Sequence, residues 1–506
     1  MTLHPGTIAA RSPDRLAVIC DDATMSYGAL DTQSRSIASH LFALGLRQGD
    51  VIAMLVGNCP EFFAIAWAAQ RSGLYYLPIP TRLTAPEITY ILNDSGAKAI
   101  AIDPKYAALA DQAVGDLPIA KIGLDANEMG QTQPPPIEGG DMLYTSGSTG
   151  QPKGVRRPIT GEPLGNDTRR VERAQLLFGL DGNSIFFSPA PLYHAAPLRF
   201  TMNLLRTGGT VVATGKFDPS RALETIAEHR VTHSQWVPTM FVRMLALPPA
   251  ERAAFDLSSH RVAIHGAAPC APDIKHAMIG WWGPILHEYY SGTESIGFTH
   301  VTSQEWLARP GTVGRAHGSI VHVIDDKGNP CPPSKTGVIY FEGRSGLSYH
   351  NDPEKTAAAH DRHGWATMGD IGHIDDAGYL FLTDRRAFTI ISGGVNIYPA
   401  EVEAAFAGHP DVADIAVFGI PDADLGDAVF ALIELHSDAP SNEAAANALQ
   451  NHARARLAPY KLPRRIAFGS VGRTETGKLH KISLRARCTS GTNGFNMRRE
   501  PVGAAA

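Results

Sequence analysis

From about residue 27 to residue 123 the chain alternates short apolar runs with stretches of helical periodicity. Val51-Ile52-Ala53-Met54-Leu55-Val56 and Ala99-Ile100-Ala101-Ile102 are two of the runs, and Glu61 to Arg71 and Ala85 to Asn93 are two of the helical stretches. Strands that alternate with helices stack into βαβ units, so this rhythm predicts an α/β fold on a parallel sheet. Gln131 to Gly140 holds three consecutive prolines and two glycines and reads as a connector. Beyond it, Met142-Leu143-Tyr144 reads as a strand running into a glycine-rich turn.

The alternation then resumes. Ser184 to Phe187, Gly209 to Ala213, Thr232 to Trp236 and Arg261 to His265 predict a second doubly wound sheet. Between Gly314 and Asp384 the pattern changes to short strands broken by turns such as Asp326-Lys327-Gly328-Asn329 and Asp375-Asp376-Ala377-Gly378. That predicts a small antiparallel β unit with no helix. After Gly393-Gly394 a βαβ-like rhythm returns with Pro399 to Phe406, Val412 to Gly419, Val429 to Leu435 and Glu443 to Arg456, the pattern of a compact C-terminal domain. Thr489 to Ala506 is short of large apolar side chains and is expected to be disordered.

A chain of 506 residues, 44% of them apolar, is too long for one compact core and implies two or more domains. Its 45 Lys and Arg against 50 Asp and Glu leave a formal charge of −5, which gives no broad basic surface for nucleic acid or anionic lipid. Cys20, Cys59, Cys270, Cys331 and Cys488 are scattered and never form a CxxC pair, so neither a disulfide framework nor a zinc site is expected. No signal-peptide pattern opens the chain and no run of about 20 apolar residues interrupts it. The expectation is a cytoplasmic protein with no integral membrane segment.

The segment Tyr144-Thr145-Ser146-Gly147-Ser148-Thr149-Gly150-Gln151-Pro152-Lys153-Gly154 places hydroxyls, glycines and a lysine directly after a strand. Glycines let backbone N–H groups approach phosphate oxygens, and the hydroxyls and Lys153 add donors. It is not the GxxxxGK[ST] loop, because no Ser or Thr follows the lysine. Composition alone fits a polar surface loop equally well. The string is similar, however, to the signature of the adenylate-forming superfamily, which contains acyl-CoA synthetases, luciferases and the adenylation domains of peptide synthetases.

Four further segments resemble that family's signatures in its order. Glu288-Tyr289-Tyr290-Ser291-Gly292-Thr293-Glu294 resembles the stretch in which an aromatic stacks on adenine, a threonine contacts phosphate and a glutamate faces Mg²⁺; by position these are Tyr290, Thr293 and Glu294. A glutamate beside a triphosphate implies a cation between them. Gly364-Trp365-Ala366-Thr367-Met368-Gly369-Asp370 resembles the ribose-binding stretch, with Asp370 as acceptor and Met368 where the family usually has threonine. Thr383-Asp384-Arg385-Arg386 and the string from Ile390 to Glu403 resemble the interdomain hinge and the opening of the C-terminal domain. Arg385 is then expected to assist Asp370, and Ser392, Gly393 and Gly394 to line the passage for the pantetheine arm. Ala387 and Phe388 stand where the hinge normally carries Lys or Asp. Arg473-Thr474-Glu475-Thr476-Gly477-Lys478 resembles the loop that delivers the adenylation lysine, which makes Lys478 the catalytic candidate.

The resemblance implies an N-terminal domain over 1–384, a hinge over 385–388 and a small, mobile α+β C-terminal domain over 389–488. It implies ATP, Mg²⁺ and coenzyme A as reactants, with Thr145, Ser146, Gly147, Ser148, Thr149, Gly150 and Lys153 at the phosphates and Glu294 and Thr149 toward Mg²⁺. A carboxylate would attack the α-phosphorus of MgATP, and a thiol would then displace AMP.

Pro191-Leu192-Tyr193-His194 and His265-Gly266-Ala267-Ala268 resemble acyl-pocket segments, so His194, Gly266, Ala267 and Ala268 are acyl candidates, joined by Trp236. Trp236 lies in the region where amino-acid-activating relatives carry an Asp, which points away from an amino-acid substrate and toward a fatty, aryl or steroid-side-chain acid. The basic stretch from Val155 to Arg173 fits either contact with the CoA phosphates or a solvated loop. The alternatives are an enzyme that loads a carrier protein and a nucleotide-binding regulator without turnover. The expected partner is a small carboxylic acid, with a homodimer as the assembly to test.

Overall fold

A computed structural model describes residues 3–124, 132–145, 152–343, 347–385, 388–392, 395–407, 409–422, 425–437, 439–473, 479 and 481–489. The hairpin β1 (Leu16–Cys20) and β2 (Ala23–Ser26) precedes the first βα units. Strands β3 (Val51–Leu55), β4 (Tyr75–Pro78), β5 (Ala97–Ile102), β6 (Ala120–Gly123), β7 (Gly140–Thr145) and β8 (Lys153–Arg156) form a six-stranded sheet in the order β6-β5-β3-β4-β7-β8. All its pairs are parallel except β7 with β8. β3 is buried along its whole length, as a strand covered by helices on both faces must be.

The helices of this sheet start and stop where local chemistry dictates. Pro60 opens the helix Pro60–Gln70, where a missing N–H costs nothing. Glu87 accepts from the Thr84 N–H at 2.7 Å at the start of Ala85–Ser95, and Gly96 ends that helix in the left-handed conformation at φ 64°.

The connector expected over 131–140 is pinned along its described part. Gly73 donates to the Ile137 carbonyl at 2.9 Å, and the buried Glu138 accepts from Gln70 at 2.6 Å and from Arg206.

The second sheet is built on β9 (Ile185–Ser188), β10 (Thr210–Ala213), β11 (His233–Trp236), β12 (Val262–His265) and β13 (Leu286–Tyr290). These run parallel in the order β13-β12-β11-β9-β10, and β10 pairs with β1. The antiparallel unit is β14 (Thr299–Thr302), β15 (Thr312–Ala316), β16 (Ile320–Ile324), β17 (Gly337–Glu342), β18 (Asp370–Ile374) and β19 (Leu380–Arg385). It is continuous with the second sheet through β13-β14-β15-β19, which makes a path of thirteen strands. It also contains the helix Pro353–Ala358, where none was expected; Asp352 caps it by accepting from the Lys355 N–H at 2.9 Å.

The C-terminal sheet comprises β20 (Ile390–Ser392), β21 (Val395–Ile397), β22 (Val412–Asp422), β23 (Gly426–Leu435) and β24 (Arg465–Phe468). β22 and β23 are antiparallel, not a βαβ pair, because the link from Asp422 to Gly426 is too short for a crossover. Only β24 runs parallel to its neighbour β23. Of the tail expected to be disordered, Thr489 instead ends the helix Lys481–Thr489, and residues 490–506 fall outside the described residues. All five cysteines are unpaired, and among the described residues no helix is long and apolar enough to cross a membrane.

Candidate active site

β7 and β8 pair Thr145 with Lys153 and Tyr144 with Gly154, so the two ends of the candidate phosphate loop lie side by side. Ser146, Gly147, Ser148, Thr149 and Gly150 lie outside the described residues. The hairpin is anchored by the Tyr144 hydroxyl, which donates to Asp94 at 2.6 Å. A side chain at Gly154 would meet Met142, His350 and Tyr144 at 3.0–3.1 Å, so glycine lets these three side chains pack closely over the hairpin.

Lys153 Nζ lies 3.0 Å from Asp352 Oδ2, and this hydrogen bond holds the ammonium above its ordinary value. The cap of the Pro353–Ala358 helix therefore also holds the candidate phosphate lysine.

The loop after β13 faces this hairpin. Glu294 Oε1 accepts from the Tyr349 hydroxyl at 3.0 Å, and Lys355 Nζ sits 4.2 Å from the centre of the Tyr349 ring. Burial lowers the pKa of Lys355, with Glu294 and Asp352 pulling in the opposite direction. Lys355 is thus met by two carboxylates and by the second lysine, Lys153.

Tyr290, on the last residue of β13, donates its hydroxyl to the buried carboxylate of Asp370, 80 residues away at the start of β18. Across the β18–β19 ladder Asp370 pairs with Arg385, whose backbone alone is described. A Cβ at Gly292 would overlap the Met368 sulfur, so Met368 fills the space beside that glycine with an apolar side chain.

The acyl candidates divide. His194 stands at the N-cap position of the helix Ala195–Thr207 without a side-chain capping bond, its ring 4.6 Å from that of Tyr193. A Cβ at Gly266 would come within 2.8 Å of the Tyr289 ring, and Ala267 is exposed in the left-handed region at φ 70° beside the half-buried Ala268. A non-glycine residue rarely adopts that conformation, and it clusters at sites. Trp236 does not join them. It is 0% exposed, packed 5.4 Å from Trp282 and 5.6 Å from Phe187, and its indole N–H is bonded to Ser234 Oγ. Its ring lies in the aromatic core rather than at the surface with Ala267.

Ser392 ends β20 and pairs with both Val395 and Gly426. Gly393, Gly394, Arg386, Ala387 and Lys478 lie outside the described residues. Phe388 is described and lies 5.7 Å beneath Lys481 Nζ of the last helix.

Sequence reasoning missed a buried charge cluster. Arg199 and Arg170 both bond Asp141, at 2.6 Å and 3.2 Å, beside a cavity of about 570 Å³ also lined by Arg156, Arg157, Thr293 and Glu294. Burial alone would raise the pKa of Asp141, yet the two guanidinium groups outweigh it and hold the carboxyl well below the usual range. The available signal was an arginine inside the otherwise apolar Ala195-Ala196-Pro197-Leu198-Arg199-Phe200 turn.

The residues present fit MgATP chemistry. Among the described residues no group of three or more potential ligands could cage a metal, whereas a single carboxylate such as Glu294 suits a hard cation carried in by phosphates. The chain belongs to the AMP-binding enzyme family: the family's model matches residues 7–348, and the model of the AMP-binding enzyme C-terminal domain matches residues 401–478. It is 33% identical over 490 residues to the long-chain-fatty-acid–CoA ligase FadD13 of Mycobacterium tuberculosis, covering 92% of this chain and 93% of that one. It is also 33% identical to a feruloyl-CoA synthase of Amycolatopsis sp., covering 95% and 97% of the two chains. Among solved structures it resembles o-succinylbenzoate CoA synthetase from Bacillus subtilis in complex with its acyl-adenylate, with a TM-score of 0.82, 27% identity, and 98% and 99% of the chains covered.

Proposed function

We propose that this chain is an AMP-forming carboxylate–CoA ligase that converts a carboxylic acid, ATP and CoA to acyl-CoA, AMP and pyrophosphate through an acyl-adenylate. The observation that supports the reading is that the recognisable strings meet across the fold: the Tyr290 hydroxyl donates to Asp370, and Glu294 accepts from Tyr349 on the same short segment whose Asp352 pairs with Lys153. The relatives named above are a long-chain-fatty-acid–CoA ligase, a feruloyl-CoA synthase and an o-succinylbenzoate CoA synthetase, so the shared element is an acyl group joined to CoA.

In this reading Tyr290 stacks on adenine and Asp370, assisted by Arg385, accepts from the ribose, so nucleotide entry replaces their mutual hydrogen bond. Lys153 and the loop Thr145 to Gly150 donate to phosphate oxygens, and Glu294 and Thr149 face Mg²⁺. The cation offsets charge that grows on the phosphates as pyrophosphate leaves. Lys478 supplies a further compact positive charge to the adenylating step, and such preorganised groups contribute several kcal/mol. His194, Gly266, Ala267 and Ala268 border the acid, and Ser392, Gly393 and Gly394 leave room for the pantetheine thiol.

Residues 1–384 form the substrate domain and 389–488 a domain that turns about 385–388 between the two half-reactions, because Lys478 and Ser392 serve different steps. The unpaired cysteines suit a cytoplasmic enzyme.

The test is acid-dependent pyrophosphate release from MgATP over fatty, aryl and steroid-side-chain acids, each with and without CoA. Turnover that requires CoA supports the ligase. Release without turnover on CoA points to a carrier-protein acceptor, and no release from ATP-binding protein points to a regulator. Lys478→Ala is expected to abolish adenylation and to spare thioester formation from supplied acyl-AMP; equal loss of both steps would overturn the division of labour.

A further inference from the structure

Glu294 has no charged partner within its own loop, yet the residues on either side of it are both tied down by one side chain. Arg199 lies in the first turns of the helix Ala195–Thr207, among the buried Leu198, Met202 and Leu205. Its Nε and Nη2 donate to Asp141 Oδ2 at 3.0 and 2.6 Å. Its remaining nitrogen, Nη1, donates to the Thr293 carbonyl at 3.0 Å and to Ser295 Oγ at 2.9 Å.

Asp141 is buried, and its second oxygen accepts from Arg170 at 3.2 Å, so the carboxylate is fixed from two sides. Arg157 Nη2 closes the arrangement by donating to the Ser295 carbonyl at 3.1 Å. Ser295 has φ 52°, a left-handed conformation that disfavours any residue bearing a Cβ and persists only where the surroundings over-determine it. Here the over-determination is visible: two arginines hold the oxygen atoms of that one serine.

A guanidinium is suited to this task because its planar fork can bond a carboxylate along one edge and leave a nitrogen aimed elsewhere. The carboxylate sets the plane, and the plane aims Nη1 at the loop. With Thr293 and Ser295 both fixed, the direction in which Glu294 leaves the backbone is fixed too.

We propose that Arg199, oriented by Asp141, is a positioning residue that holds the Thr293–Glu294–Ser295 turn so that the Glu294 carboxylate meets the cation accompanying the nucleotide. The inference rests on the reading of Glu294 as the residue that faces Mg²⁺. Arg199 touches neither reactant in this account and acts through Glu294.

A residue that merely ties helix to sheet would weaken nucleotide binding to the same extent with or without a cation. A positioning residue would weaken only the part that depends on the cation. ATP binding is therefore measured by calorimetry in EDTA and again in Mg²⁺, on the full chain and without acid or CoA.

Arg199→Gln is expected to lose about tenfold of the affinity gained on adding Mg²⁺, the scale on which residues behind a metal ligand act, while binding in EDTA stays within about twofold. Ser295→Gly leaves the Asp141–Arg199 pair intact and relieves the backbone, yet removes the Oγ acceptor. It is expected to lose part of the same gain, and it carries the test if Arg199→Gln does not fold.

Glu294→Gln is the reference. If it removes the Mg²⁺ gain and both other variants keep it, the positioning role is overturned while the reading of Glu294 stands. If Glu294→Gln itself keeps the gain, the reading of Glu294 falls and the positioning role falls with it. Equal loss in EDTA and in Mg²⁺ for Arg199→Gln would also overturn the proposal, because it marks a general structural role.

Discussion

β3 and β11 are both buried from end to end, yet they are made of opposite materials. Val51 to Leu55 is five apolar side chains, whereas His233-Ser234-Gln235-Trp236 is mostly polar. The first strand holds its place by shape and by removal of apolar surface from water, which is strong but non-directional. The second holds its place by directional bonds: His233 Nε2 meets the Phe178 carbonyl at 3.0 Å, and Ser234 Oγ meets His260 Nε2 at 2.6 Å.

The polar character of β11 extends to its neighbours, whereas in the first sheet buried charge is met at Asp141 of β7, toward the edge. β12 and β13 bring His265 and Glu288 into the core, where Glu288 is bonded to the fully buried Lys275 at 2.5 Å. Left-handed backbone follows the same division. Between residues 51 and 124 positive φ occurs, among the described residues, only at Gly73, Gly96 and Gly115, whereas the loops after β12 and β13 place Ala267 and Ser295 there. The candidate site draws on both sheets: the edge of the first supplies the β7–β8 hairpin with Lys153, and the second, which accepts polar burial and strain, supplies Tyr290 and the turn at Glu294, where a directional network can hold strand ends to the tolerance chemistry needs.

Acid should separate the two kinds of core most strongly. Burial pushes His233 down to about 4 and His260 and His300 down to about 3, from the ordinary 6.5. As pH falls through 6.5 the unfolded chain takes up protons that the folded chain refuses, so the stability present above that pH is lost on the way down to the folded values. Between pH 7 and pH 5 each of these histidines should remove on the order of 1 to 2 kcal/mol. Urea midpoints followed by tryptophan fluorescence at the two pH values test this, and a flat midpoint would break the contrast between the sheets.

Lys275→Met leaves Glu288 buried without its cation and is expected to cost about 3 to 5 kcal/mol. Lys275→Met combined with Glu288→Leu should recover most of that, because an apolar pair of similar volume replaces a desolvated one. Failure of the double variant to recover would show that the pair is needed for more than its own burial. The matching change in the first sheet is Ile52→Val, at 0% exposure, which is expected to cost about 1 kcal/mol and to leave pyrophosphate release per folded molecule unchanged. A fall in that rate would show that the apolar core around β3 also sets the site geometry.

The same contrast explains what could be read from the amino-acid sequence. The first sheet was legible because its strands and helices carry continuous local patterns, as at Val51 to Leu55 and Ala85 to Ser95. The junction of the antiparallel unit with the second sheet was not, because it depends on His300 meeting Arg315 and Thr312 meeting Phe381. At the site, Lys153, Tyr290, Glu294 and Asp370 stand in recognisable strings. Arg199, Asp141, Tyr349 and Asp352 stand in none, and their significance arises only from contacts made across the fold. Trp236 shows the converse limit: its position in the chain suggested the acyl region, and only packing reveals that its ring is enclosed among aromatics.

The finest test of the division concerns one methyl group. Ala267 is left-handed at φ 70°, where an L-residue with a Cβ is disfavoured by about 1 to 2 kcal/mol. Ala267→Gly removes that strain, but glycine also gives the unfolded chain more freedom, worth about 0.4 to 1 kcal/mol in the opposite direction. The two nearly cancel, so chemical denaturation should show a change under about 1 kcal/mol. If Ala267 borders the acid, the looser turn should still raise the KM for the acid while leaving that for ATP in place. A variant with unchanged stability and unchanged KM would mean that the strained turn after β12 serves neither sheet nor substrate, and would confine the link between strain and chemistry to the loop that holds Ser295.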